Sequence, residues 1–231
     1  MMTEAPSKTA GEGAPFPDPA VPSEAARAGH GLGKVQRIRK QVLAFGCAIA
    51  AALLPFIQST WPVSGMAHEA VEILGLALIA LCVVGRSWCT LYIGGRKTAE
   101  LVDLGPYSVS RNPLYLFSFI GAAGVGAQSG SISVAVLFAA LAIAVFRPVV
   151  LIEEAALARC FGPAYQSYVS RVPRFGPRLR NWRDAEWLRT RPELFLRTLV
   201  DGLAFAAVVP LFEAIDWLQT SGYLPVLVHL P

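Results

Sequence analysis

Hydrophobic and polar positions along this chain fall into long blocks rather than short alternations. Residues 41–61 carry no charge, and at ~1.5 Å per helical residue such a run covers the ~30 Å hydrocarbon core of a bilayer. Trp61-Pro62 ends it, where an interfacial aromatic and a helix breaker are expected. Residues 68–93 form a second apolar run, interrupted only by Glu69 and Glu72 at its start and Arg86 near its end, with Trp88 and Tyr92 suited to an interface. Residues 112–128 are uncharged and rich in Gly, Ala and Ser, and Ser129-Gly130-Ser131 predicts a tight turn. Residues 132–146 are apolar again, and Arg147-Pro148 interrupts them before 149–152. This pair of runs predicts a helical hairpin kinked at Pro148. The last run, 194–218, is weaker. It contains Arg197, Asp201, Glu213 and Asp216, so it either spans or lies partly in the interface. The pattern predicts an all-α fold, a polytopic membrane helix bundle of about five transmembrane helices.

The remaining blocks are polar. Residues 1–33 are rich in Ala, Pro, Gly, Glu and Ser without apolar periodicity, which predicts a disordered tail rather than a signal peptide. Residues 34–231 form the membrane domain. Residues 94–111 are turn-rich, and 153–192 are dense in arginine.

Composition supports this division. Apolar residues make up 54% of the 231 and charged ones 16%, against ~25% charged in soluble domains, and the mean hydropathy is +0.49. Disorder is excluded for most of the chain, and a water-soluble globule would have to hide more apolar surface than its size allows. The 20 Lys and Arg divide as six before the first run, one inside the second (Arg86), three in 94–111 and ten in 147–197. The opposite segments, 62–67, 129–131 and 220–231, hold none. With five spans, the positive-inside rule puts the N-terminus and the 1–33 tail in the cytoplasm. Cys47, Cys82, Cys89 and Cys160 form no CxxC pair, which argues against a disulfide framework or a zinc knuckle and for buried small hydrophobes.

The candidate chemistry falls on the cytoplasmic side. Gly105-Pro106-Tyr107 is followed by Arg111-Asn112-Pro113-Leu114-Tyr115. Pro113 suits a first helical turn and Asn112 a cap; a helix N-terminus beside Arg111 also suits an anionic group such as a carboxylate. Glu153-Glu154 ends the fourth run, either as a solvated helix end balanced by Arg147 and Arg159 or as an acceptor for a ribose diol or a cationic ligand. In 161–175, a helix starting at Pro163 would put Tyr165, Tyr168 and Val172 on one face; the plainer reading is an amphipathic helix on the bilayer. Arg171 and Arg174 suit lipid head groups or, alternatively, an acidic substrate group or a cofactor carboxylate. Gly124-Val125-Gly126 reads as helix packing.

The ordered strings GPY, RNPLY, an apolar hairpin, EE, FGxxYxxY and RVPRF, over 85–177, resemble the isoprenylcysteine carboxyl methyltransferase / phospholipid methyltransferase family of integral membrane enzymes. The resemblance implies S-adenosylmethionine (SAM) bound on the cytoplasmic side and a lipid-like acceptor entering from the bilayer. Many members have His where Asn112 stands, and the Gly-x-Gly of the phospholipid-methylating relatives corresponds here to Ala80-Leu81-Cys82. On this reading Tyr107, Arg111, Pro113, Tyr115, Glu153, Glu154, Tyr165, Tyr168 and Arg171 hold the donor. The tyrosines face its sulfonium and adenine, a glutamate accepts from its ribose or amino group, and an arginine binds its carboxylate. Arg111, Asn112 and Arg174 stand at the reaction centre, and no metal is involved.

No histidine lies near these motifs in sequence, so an acceptor that is already anionic, a carboxylate or thiol, is favoured over an amine, which would need a base. The partners implied are membrane lipids and a small or lipid-like acceptor, not nucleic acid. The Ala-, Arg- and Gly-heavy usage suggests a bacterial inner membrane. Three alternatives stand beside this reading: a phospholipid amine N-methyltransferase, an NADPH-dependent membrane reductase using the arginines of 171–183, and a non-catalytic membrane protein.

Overall fold

The computed structural model describes residues 52–94, 100–188 and 190–231, together with Gly46 and Ile49. The expected N-terminal tail and most of the first expected span lie outside the described residues. What is described of that span differs from a helix running to Trp61. Ala52 and Leu53 are helical, Leu54–Phe56 is a 3-10 turn, and Ile57–Ser59 (β1) is extended. Pro55 removes a backbone donor there, and β1 pairs in parallel with Val228–Leu230 (β2), with Ile57 opposite Val228 and Ser59 opposite Leu230.

The rest of the described chain is a helical membrane bundle. Helix α1, Met66–Ile93, has 28 residues and is ~42 Å long. A four-residue turn, α2 (Pro106–Val109), precedes α3, Pro113–Ala127. Helix α4 covers Ile132–Arg171. Pro192–Leu203 (α5), a 3-10 turn at Ala204–Ala207 and Val208–Thr220 (α6) follow one another without a break. Three stretches are long and apolar enough to cross a bilayer: α1, α4 and Pro192–Thr220. At 15 residues, or ~22 Å, α3 falls short of the hydrocarbon thickness as a helix alone. Leu74, Val84, Val136, Leu141, Val200 and Leu211 stand exposed on the outer faces, as lipid-facing side chains do.

Helix α4 keeps helical dihedrals through Pro148 and has a non-helical residue at Gly162, whose φ of 49° is open to glycine at little cost. Pro163 then starts a second short helix, as the sequence predicts. Cys82 and Cys89 are buried as expected, but Cys160 is exposed.

Helix α1 packs mainly on α3, α3 on α4, and α5 on α1. The first contact depends on glycine. A Cβ on Gly75 would meet the Gly124 carbonyl oxygen at 2.8 Å, and one on Gly124 would meet the Gly75 carbonyl oxygen at 2.7 Å. The two backbones therefore touch, which agrees with the packing role read for the Gly124 stretch. Because consecutive helices run in opposite directions, one end of the bundle gathers the end of α1, the start of α3 and the 153–192 stretch. The other end gathers the start of α1, the 128–131 turn, β1, β2 and the end of α6.

Candidate functional site

The first of these ends is built by a segment that folds back. After α4 the chain turns at Val172 and runs under the loop before α3. Arg111 N donates to the Pro173 carbonyl (2.9 Å), Arg178 N to the Val109 carbonyl (3.0 Å), and Gly105 N to the Arg183 carbonyl (2.7 Å). Trp182 stacks on Trp88 at 5.5 Å between ring centroids, and Asp184 accepts from the Tyr92 hydroxyl at 3.0 and 3.1 Å. The GPY, RNPLY and RVPRF segments are thereby held together by backbone bonds, which fix positions more tightly than surface side chains can.

Glu154 sits at the centre of this end and is 8% exposed. Its Oε1 accepts from Asn112 Nδ2 at 2.8 Å. Its Oε2 accepts from Arg174 Nε at 3.0 Å and Nη2 at 2.9 Å, and Arg111 Nη1 lies 3.7 Å away. Motifs 42 positions apart in sequence thus meet on one carboxylate. The expected cap role of Asn112 is replaced by this contact: its side chain caps no backbone N–H of α3. Pro113 has already removed one such N–H, and the bond from Asn112 Nδ2 to the carboxylate sets the orientation of the amide. The solvated helix end that was one reading of Glu154 does not hold for this buried, paired residue. The same hydrogen bonds raise the Arg174 guanidinium further above its ordinary range, so it stays charged.

The aromatic residues frame this cluster. The Tyr115 hydroxyl donates to Glu153 Oε2 at 3.0 Å, and its ring lies 5.4 Å from Phe146. Tyr165, Tyr168 and Val172 form one buried cluster, as their spacing predicts, rather than the face of a helix resting on lipid. The Tyr168 hydroxyl donates to the Tyr107 carbonyl at 2.7 Å. Tyr107 is itself buried, and burial pushes its phenol well above the ordinary range, so it remains protonated. Two buried polar atoms here, Arg111 Nε and the Tyr165 hydroxyl, make no hydrogen bond of good geometry, although the two side chains face each other. Each is a donor held out of water, an arrangement that costs free energy unless something occupies it.

Arg171 does not join the cluster. It is about half exposed and pairs with Asp103 at 3.4 Å, and Asp103 also receives Arg183 at 2.6 Å. Sequence reasoning missed this acidic anchor, as it missed Asp184 and Ser110. Ser110 Oγ donates at 3.3 Å to the carbonyls of Arg174 and Phe175. Nothing in their residue types marks them, since each acts on a segment distant in sequence. Replacing Tyr168 with Phe leaves the buried Tyr107 carbonyl without its hydroxyl partner. A loss of about 1–2 kcal/mol in stability is expected, read as a lower Tm of the purified protein.

Comparison with known proteins adds three findings. The sequence model described as phospholipid methyltransferase matches residues 71–164. The nickel-cobalt-cadmium resistance protein NccN of Alcaligenes xylosoxydans xylosoxydans is 38% identical over 159 residues, 68% of this chain and 74% of that protein. The cobalt-zinc-cadmium resistance protein CzcN of Cupriavidus metallidurans is 37% identical over 158 residues, 68% of this chain and 72% of that protein. No solved structure matches.

Proposed function

The chain belongs to the phospholipid methyltransferase family of membrane methyltransferases, and from that premise we propose that it transfers methyl groups from SAM at the cytoplasmic face of a bacterial inner membrane. The acceptor is small or lipid-like, with a carboxylate or thiol favoured. A cytoplasmic N-terminus is part of this proposal, supported by the absence of Lys and Arg from 62–67, 129–131 and 220–231.

The observation that carries this reading is the pair of buried donors that make no hydrogen bond of good geometry, Arg111 Nε and the Tyr165 hydroxyl, beside the Glu154 cluster. A donor's α-carboxylate needs such groups, and Tyr115, Tyr165 and Tyr168 supply π faces for a sulfonium and an adenine. Bound SAM would supply an electrophilic methyl group for an in-line displacement. Arg111 and Tyr165 then bind, while Glu154 orients Arg111, Asn112 and Arg174. Glu154 is thus a positioning residue, because both of its oxygens are already engaged. Glu153, which faces Tyr115, is the glutamate that would reach the ribose or the amino group. Phe119, Phe146 and Phe175 pack together beside Tyr115 and offer an apolar wall to an acceptor arriving from lipid. Both described histidines, His68 and His229, belong to the other end of the bundle, so no imidazole among the described residues serves as a base for an amine acceptor.

The test is SAM binding in detergent, followed by transfer of labelled methyl across carboxylates, thiols and amines. SAM should raise the Tm and NADPH should not. Protection by NADPH alone would favour a reductase, and label in phosphatidylethanolamine derivatives would favour phospholipid amine methylation. The relatives' names support a cellular setting as well: tolerance of divalent transition metals. Deleting the gene should then lower survival in nickel, cobalt, zinc or cadmium, and unchanged survival would remove that role.

A further inference from the structure

We propose that His68, Glu72 and Asp216 form a binding site for a divalent transition-metal ion, at the end of the bundle opposite the Glu154 cluster. The inference is independent of methyl transfer. His68 and Glu72 lie four residues apart on α1 and so share a face, while Asp216 comes from α6. His68 Nε2 is 3.2 Å from Glu72 Oε1 and 3.6 Å from Asp216 Oδ2. One donor atom from each residue lies within 4.8 Å of the others. A tetrahedral ion with bonds of ~2.0–2.1 Å holds its ligand atoms about 3.3–3.4 Å apart, so the spacing needs only small adjustment.

The decisive feature is His68. It is 1% exposed, yet neither ring nitrogen has a hydrogen-bond partner. Glu72 Oε1 and Asp216 Oδ2 stand 3.2 and 3.6 Å from Nε2 without meeting hydrogen-bond geometry. Ligands sharing an ion stand in that relation, since the ion takes the nitrogen's lone-pair direction and the oxygens flank it. On the other side, the ring presses on Gly130, where a Cβ would collide with Nδ1. Gly130, with φ 63°, therefore fixes the imidazole while keeping the turn tight.

Charge points the same way. Two carboxylates converge on one imidazole, and Glu213 adds negative potential nearby. No Lys or Arg occurs in 57–67, 128–133 or 213–231 to balance them. Gln128 Nε2, the nearest amide donor on the adjoining turn, is committed to the Glu72 backbone carbonyl at 2.9 Å. A divalent cation would neutralise the pair in place of a protein cation. One imidazole nitrogen with two carboxylate oxygens suits borderline ions such as Zn²⁺ and Co²⁺ better than Ca²⁺ or Mg²⁺, which prefer all-oxygen shells. The Glu72 side chain is 25% exposed, which leaves an approach from that edge and room for water as a fourth ligand.

The experiment titrates chelator-stripped, full-length protein with Co²⁺ alone and follows the visible d–d absorption. One equivalent should give the intense bands of a low-coordinate ion. Zn²⁺ should displace it, while a ~100-fold excess of Mg²⁺ or Ca²⁺ should not. His68→Gln should abolish the bands, Glu72→Gln should weaken Co²⁺ binding at least about tenfold, and His229→Gln should leave Co²⁺ binding unchanged. Glu72→Gln keeps size and hydrogen bonding, so it decides the matter if His68→Gln fails to fold. Absent bands in the native protein, unaltered binding in Glu72→Gln, or displacement by Ca²⁺ as readily as by Zn²⁺ would each overturn the site. SAM binding, measured separately, is untouched by any of these results.

Discussion

In Glu154→Gln, affinity for SAM falls about 30- to 140-fold, while the chain remains folded. The substitution is isosteric, but it exchanges a two-oxygen acceptor for one oxygen and one NH₂ group. If the oxygen keeps the Asn112 amide, the NH₂ faces the Arg174 Nε and Nη2 donors; if it turns the other way, two amide NH₂ groups oppose each other. Arg111, whose side chain is 11% exposed, loses the Glu154 carboxylate 3.7 Å from its Nη1. Removing one partner of a buried ion pair costs about 3–5 kcal/mol. The Arg174 side chain is 43% exposed, so water screens its share and the total falls to about 2–3 kcal/mol. At ~1.4 kcal/mol per decade that sets the fold-change. Equilibrium dialysis with labelled SAM, run beside a melting curve, separates lost affinity from lost fold. Arg171→Ala is the matched control: that arginine is exposed and bound to Asp103, so affinity should change less than about twofold. Unchanged binding in Glu154→Gln would remove the cluster from the donor site.

Much of this arrangement can be read from the sequence because it follows from local rules. Apolar runs predict α1, the first part of α4 and, more weakly, the final span. Pro163 marks a helix start, and the 3.6-residue period alone puts Tyr165, Tyr168 and Val172 on one face. The order of motifs around an apolar hairpin indicates that Arg111 and Glu154 lie at the same end. What escapes is settled by contacts distant in sequence. Asn112 looks like a cap until the carboxylate from α4 is seen to claim its amide. The break in α4 falls where Gly162 permits a positive φ, which the apolar pattern does not mark. Asp216 reads as a charge that weakens the last span, and only packing brings it to His68. The His68–Glu72 spacing of four residues was the one available signal for that second cluster, and without a third ligand nearby in sequence it has no chemistry of its own.

Gly124→Val should lower stability by about 2–3 kcal/mol and also weaken SAM binding, although no atom of Gly124 belongs to the donor cluster. A Cβ at this position would meet the Gly75 carbonyl oxygen at 2.7 Å, Ile79 N at 2.9 Å and Ile79 Cγ1 at 3.0 Å. Two of these are backbone atoms of α1, which cannot move aside as a side chain would. Valine adds two further methyl groups in the same direction, so α1 and α3 must separate over their main contact. Overpacking of this kind costs about 1–3 kcal/mol, and the backbone obstacle puts it at the upper end. In a bilayer no hydrophobic effect draws the helices back together, since lipid is as apolar as their side chains. The displacement then reaches Asn112 and Pro113, because α3 is a rigid rod that starts at the donor cluster. Gly176→Ala supplies the comparison: its φ is not positive and an added Cβ meets nothing within 4 Å, so Tm and affinity should both stay put. If Gly124→Val melts like the native protein, the backbone contact between Gly75 and Gly124 does not hold α1 against α3.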